Sequence, residues 1–214
     1  MASVIIPGPE GRLEGKYQQI NNANGIALLL HPHPEFGGSM NNKPMISLFN
    51  LFVEKQFSTV RFNFRGVGNS QGQHDGQEGE LCDAASVLDW IQSLNTGTTE
   101  CWICGLSFGA WIGMQLLMRR PEITRFVSIA PPAGKYDFSF LAPCPTSGIM
   151  VLGSKDTEIV QDSVPSLVKK ISDDRPIDVE FAKIKNADHF FRNKENALCK
   201  KVGEYIDYVG SIEE

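Results

Sequence analysis

A chain of 214 residues, 42% of them hydrophobic, can bury one sizeable core and matches the length of one domain or two very small ones. Its 20 Lys+Arg against 25 Asp+Glu give a formal net charge of −5, which excludes a basic nucleic-acid footprint and is too mild for an acidic disordered tail. No run of 18 apolar residues is present, the N-terminus lacks the pattern of a signal peptide, and the five cysteines are an odd count, so a cytoplasmic protein with reduced thiols is expected.

In chain order, residues 4–20 read as an N-terminal antiparallel strand or pair. The apolar run Ile26–Leu30 follows, then a helix from near Pro44 that carries Met45, Phe49, Phe52 and Val53. A second run, Thr59–Phe64, precedes a helix after Asp75 that presents Leu81, Ala85, Leu88 and Ile91. The run Cys101–Cys104 leads to a helix from Phe108 to about Arg120, stopped by Pro121. Then come Arg125–Ile129, Gly148–Leu152, a helix over Val164–Ile171, and the run Ile177–Ile184. The last helix carries Leu198, Val202, Tyr205, Ile206 and Val209 at helical spacing.

Runs such as Leu28-Leu29-Leu30 and Ile149-Met150-Val151-Leu152 are apolar at every position, which means burial on both faces of a sheet. Strand and helix alternating in this way predict a doubly wound, mostly parallel α/β sheet with helices on both faces, one domain spanning residues 1–214. Between Ile129 and Gly148 only about 18 residues remain, broken by Pro131, Pro132, Pro143 and Pro145. That is too little for a helical cap.

Ligands of such sheets bind where loops leave the carboxyl ends of the strands. Leu30 is followed by His31-Pro32-His33-Pro34, and Cys104 by Gly105-Leu106-Ser107-Phe108-Gly109. Leu152 is followed by Gly153-Ser154-Lys155-Asp156, and Ile184 by Asn186-Ala187-Asp188-His189. A serine between two glycines at a strand-to-helix turn is the pattern of a nucleophile elbow. A hydroxyl needs a base, and His189 is the only one of the four histidines that lies after Ser107. The base in turn needs a carboxylate to orient it. Asp156, at a strand end, is the best candidate, with Asp137 the runner-up; Asp188 adjoins His189 and is badly placed to meet its ring. An oxyanion hole would take one N–H from Phe108. The second would come from the loop after Leu30, where Pro32 and Pro34 have none, so His33 is preferred over Glu35.

Taken together, these residues resemble the α/β-hydrolase superfamily, and most closely its small, lidless, dienelactone-hydrolase-like branch of bacterial serine hydrolases. The resemblance runs over roughly residues 20–210 and rests on order and spacing. Its marks are His31–Pro34 with Gly37–Lys43, Arg61–Ser70, Gly105–Gly109, Gly153–Asp156 and Ala187–Phe191. It implies a Ser107–His189–Asp156 triad, hydrolysis of an ester or related acyl bond on a small-molecule substrate, and no cofactor. Dienelactone hydrolases themselves use a cysteine where Ser107 stands, so lactone specificity does not carry over. Amide or peptide hydrolysis, thioester hydrolysis and acyl transfer fit the same triad; a non-catalytic, ligand-binding member is the rival of another class. Assembly into a homo-oligomer stays open.

Other patterns read as structural. His31-x-His33 could be a metal pair, but no further metal-spaced cluster follows, and no metal is expected. Cys101-x-x-Cys104 on a strand points to opposite faces, the pattern of two inert cysteines. Gly66-Val67-Gly68-Asn69-Ser70-Gln71 lacks the last glycine of a dinucleotide fingerprint. Arg65 is expected to brace the loop after it, and Asp75 to cap the helix that follows. The acidic set Glu78, Glu80 and Asp83 is expected as a solvated first turn.

Overall fold

The ambiguous N-terminal segment is an antiparallel pair, β1 (Ala2–Gly8) and β2 (Gly11–Gln18), joined at Gly8 opposite Gly11. The structure is a computed structural model and describes residues 1–98, 100–172 and 177–213. The remaining elements alternate: β3 (Gly25–Leu30), α1 (Lys43–Glu54), β4 (Phe57–Phe62), α2 (Glu78–Leu94), β5 (Cys101–Leu106), α3 (Phe108–Leu117), β6 (Arg125–Ile129), β7 (Gly148–Gly153), α4 (Ser163–Ser172), β8 (Val179–Ile184) and α5 (Glu195–Glu213).

The eight strands form one sheet in the order β1-β2-β4-β3-β5-β6-β7-β8. From β4 to β8 every pairing is parallel, and β2 joins β4 antiparallel. Strands β3, β5 and β7 are buried at every position, as their unbroken apolar runs require, and β4 is buried throughout although it carries Ser58, Thr59 and Arg61. The connection β3–α1–β4 steps one way along the sheet, while β4–α2–β5 steps back across β3 to its other side. Right-handed crossovers therefore put α1 and α2 on opposite faces. Helix α5 packs on α1, and α3 packs on α2. The reversal of direction between β3 and β5 opens a crevice at their carboxyl ends.

Element boundaries shift where side chains compete for the backbone. The run Thr59–Phe64 forms a strand two residues earlier, Phe57–Phe62. The Phe64 N–H is taken by the His31 ring and the Arg65 N–H by the Asp83 carboxylate, so neither continues the ladder. Helix α3 ends at Leu117, short of Arg120.

Helix α2 departs further from expectation. Its inward face is Glu80, Asp83, Ala84, Val87, Leu88 and Ile91, while Leu81 and Ala85 are only partly buried. Glu78 is exposed, but Glu80 and Asp83 are fully buried rather than solvated. The reason is pairing. Arg65, itself buried, donates from Nε and Nη2 to the two oxygens of Asp83 at 3.0 and 2.8 Å, and Nη1 reaches Glu10 at 2.8 Å. Glu80 meets the His74 ring at 2.7 Å. Arg65 thus holds both ends of the loop between β4 and α2, as expected of it. Asp75 also takes its expected part, accepting from the Gln77 and Gly79 N–H groups at 3.0 and 2.9 Å.

Among the described residues no cap domain is built on this sheet. The β6–β7 connection holds a single 3₁₀ turn, Ser139–Leu141, among the described residues. Nor is any described helix long and apolar enough to cross a membrane.

Candidate active site

Strand β5 runs directly into Ser107, whose backbone sits at φ 54°, ψ −115° before α3 begins at Phe108. Few side-chain-bearing residues adopt this conformation, and the cost of order 1–3 kcal/mol must be met by the surroundings. Those surroundings are tight. The Ser107 N–H donates to the Ile129 carbonyl at 2.8 Å, tying the turn to β6. A Cβ on Gly105 would lie 2.3 Å from the Gly109 carbonyl oxygen, and one on Gly109 would lie 2.2 Å from that of Leu30. Both glycines are therefore dictated by backbone packed on backbone. The turn aims Ser107 Oγ outward at the positive end of α3.

The loops after β7 and β8 bring a carboxylate and an imidazole to this hydroxyl. His189 Nε2 lies 2.8 Å from Ser107 Oγ, and His189 Nδ1 lies 2.8 Å from Asp156 Oδ2. Asp156 and His189 are 4% and 8% exposed, so the chain of bonds runs from the protein interior to the pocket surface. The second Asp156 oxygen accepts the N–H groups of Glu158 and Ile159 at 2.8 and 3.1 Å, which locks the carboxylate. An imidazole so held can take a proton from the hydroxyl while the carboxylate stabilises its positive form. The other two acids sit elsewhere. Asp137 accepts the Ser139 N–H on an exposed loop, and Asp188 caps the Arg192 N–H.

The loop after β3 lies beside the serine. The His33 ring is 4.8 Å from the Phe108 ring, and neither the His33 nor the Phe108 N–H has an acceptor among the described residues. Three side chains that the sequence reading did not assign to the site hold this loop. His31 is fully buried, with Nδ1–H directed at the Pro32 carbonyl at 2.6 Å and Nε2 accepting the Phe64 N–H at 3.0 Å. Burial pushes its pKa down to about 4, so the ring is neutral. Arg61 donates to the Met40 carbonyl and the Asn41 side chain, and Asn63 Oδ1 accepts the Met40 N–H at 2.8 Å. The alternation Arg61-Phe62-Asn63 carried the signal, since polar side chains alternating with apolar ones in a buried strand need partners.

The serine opens into a cavity of ≈ 320 Å³. Pro32, His33 and Phe36 form one wall, Pro132, Lys135 and Tyr136 another, with Ile159 and Phe190 beside them. Tyr136 stacks on Trp111 of α3 at 4.3 Å, which fixes the β6–β7 loop without a lid.

The remaining sequence patterns resolve simply. Cys101 and Cys104 are buried, and desolvation raises both thiols, that of Cys101 to about 12. His31 and His33 do not share a site, because His31 spends both ring nitrogens inside the protein. Among the described residues, ligand-bearing side chains come together instead at His33, Glu35 and His74, whose ligand atoms lie within 4.8 Å of one another. Spacing along the chain does not reveal this group, since His74 arrives through the loop that Arg65 holds.

Residues 29–145 match the model of the α/β hydrolase fold family. A protein of unknown function from Agrobacterium tumefaciens is 50% identical, with a TM-score of 0.95 over 99% of this chain and 98% of that one. An α/β serine hydrolase homologue from Coxiella burnetii is 31% identical, with a TM-score of 0.84 over 95% and 96% of the two chains. A lidless α/β serine hydrolase from Xanthomonas campestris is 27% identical, with a TM-score of 0.87 over 97% and 94%. With the sheet order, the serine turn and these likenesses in agreement, the chain belongs to the α/β-hydrolase family, in its lidless branch.

Proposed function

We propose that this protein is a serine hydrolase that cleaves a carboxylic ester or related acyl bond of a small molecule. The observation that carries the reading is the continuous chain Asp156–His189–Ser107, with both links at 2.8 Å. Ser107 Oγ attacks the carbonyl carbon as His189 Nε2 takes its proton, and Asp156 stabilises the imidazolium through Nδ1–H. The oxygen of the tetrahedral intermediate accepts the N–H groups of Phe108 and His33. Collapse breaks the bond to the leaving group, which receives the proton from His189. Water then repeats the sequence on the acyl-enzyme and frees Ser107. Among the described residues no cysteine is joined in a disulfide, which suits a reducing cytoplasm.

The test is covalent labelling. A fluorophosphonate probe should add one equivalent to the protein, mapped to Ser107 by mass spectrometry, and Ser107→Ala should abolish it. A chain that resists the probe while correctly folded would refute the reading. A panel of p-nitrophenyl esters, acyl thioesters and aminoacyl anilides then distinguishes the acyl bond preferred.

A further inference from the structure

We propose that His33, Glu35 and His74 form a binding site for a borderline divalent cation of the Zn²⁺ type, set behind one wall of the acyl pocket. The claim is separable from the hydrolytic reading, because Ser107, His189 and Asp156 take no part in it.

Three features support the site. The first is convergence: one ligand atom from each side chain falls within 4.8 Å of the others. Around one tetrahedral ion with Zn–N and Zn–O distances of about 2.0–2.2 Å, the ligand atoms stand roughly 3.3–3.6 Å apart. Small rotations of the exposed Glu35 side chain and the half-buried rings close that gap.

The second is the support behind His74. Its Nδ1 is 2.7 Å from Glu80 Oε1, so Nε2 is the ring nitrogen left for a ligand. A ligating histidine characteristically gives its other ring nitrogen to a carboxylate, which fixes the ring and raises its basicity. Glu80 is fully buried, and its Oε2 has no hydrogen-bond partner. Among the described residues its only basic partner is the His74 ring, since Arg65 is committed to Glu10, Asp75 and Asp83. A buried carboxylate so placed is short of positive charge, and a cation on His74 supplies it.

The third is chemical selectivity. Two imidazoles and one carboxylate suit Zn²⁺ and its neighbours, while Mg²⁺ prefers oxygen donors and keeps its waters. Three protein ligands leave a fourth position to water. His33 also lines the pocket and touches Phe108, so a bound ion would pin the loop that carries the second proposed oxyanion donor.

The experiment is a Zn²⁺ titration of the full reduced chain in competition with a chromophoric chelator. One equivalent should bind, undisturbed by millimolar Mg²⁺. Glu35→Gln, a change at an exposed residue whose fold is checked by circular dichroism, should weaken binding at least tenfold. Glu80→Gln should weaken it about 10–100-fold without removing a ligand. Absence of saturable binding would overturn the site. So would binding that survives both Glu35→Gln and His74→Gln, or that is lost in Cys82→Ser, which would put the ion on the exposed thiol.

Discussion

His31 Nε2, just past the end of β3, accepts the backbone N–H of Phe64, just past the end of β4, at 3.0 Å. One neutral ring thus joins the loop that carries His33 to the segment that carries Arg65. Replacing it by leucine should leave the buried Phe64 N–H and Pro32 carbonyl unpaired, at about 1–3 kcal/mol for such a group. The effect should depend on pH. The folded pKa, about 4, lies below the ordinary 6.5, so the unfolded chain binds the proton more readily between those values. His31 therefore contributes its full stability above about pH 6.5 and loses it as pH falls towards 4, by on the order of 3 kcal/mol. In urea unfolding, the gap between wild type and His31→Leu should narrow over this range. A gap that stays constant would refute the assignment.

The hydrogen bonds that link Asp156, His189 and Ser107 make a kinetic prediction under the proposed function. Ser107→Ala should lower kcat for a short p-nitrophenyl ester by about 10³-fold or more, with KM little changed. Adding His189→Ala to Ser107→Ala should cost almost nothing further, because the two side chains act as one unit. Steady-state rates of the single and double variants decide it. Additive losses would mean that the 2.8 Å contact does not report a shared step.

Two glycines in α3 should behave differently. Gly109→Ala drives a methyl group to 2.2 Å from the Leu30 carbonyl, and neither backbone can yield without opening the serine turn. Destabilisation of about 1–3 kcal/mol or more is expected. Gly113→Ala meets only side-chain carbons of Ile103 and Leu30 at 3.4 Å. Alanine's better helix propensity, worth up to about 1 kcal/mol, should keep that variant close to wild type. Urea midpoints of the two variants measure the contrast.

The acids of α2 offer a third comparison. Asp83→Asn breaks a fully buried pair and leaves Arg65 partly uncompensated, which should cost about 3–5 kcal/mol. Glu78→Gln, on the exposed face of the same turn, should stay within about 0.5 kcal/mol of wild type. Equal effects in thermal unfolding would contradict the burial of Asp83.

These acids also mark where the sequence stops being readable. Ser107, Asp156 and His189 could be picked out because each follows an apolar run, and a parallel sheet sends all such ends to one edge. The sheet class followed from strands with no polar face at all. Glu80 and Asp83 were misread because a buried carboxylate looks like a solvated one until its partner is known, and Arg65 and His74 come from a loop that carries no periodic signal. The same error turned the expected face of α2 towards Leu81 and Ala85. His31 was visible as a residue but not as a fastener, since its bond to the Phe64 N–H exists only once β3 and β4 lie side by side.

The short β6–β7 connection has a last consequence, for the second half of the proposed reaction. A capped enzyme can shut out every nucleophile except the one it has chosen. Here the pocket walls are strand-end loops held by fixed contacts, such as Tyr136 on Trp111, and among the described residues no cap stands over Ser107. Bulk solvent then decides what receives the acyl group. Methanol added to the assay should divert the acyl group from the free acid to the methyl ester, in a share that climbs with its concentration.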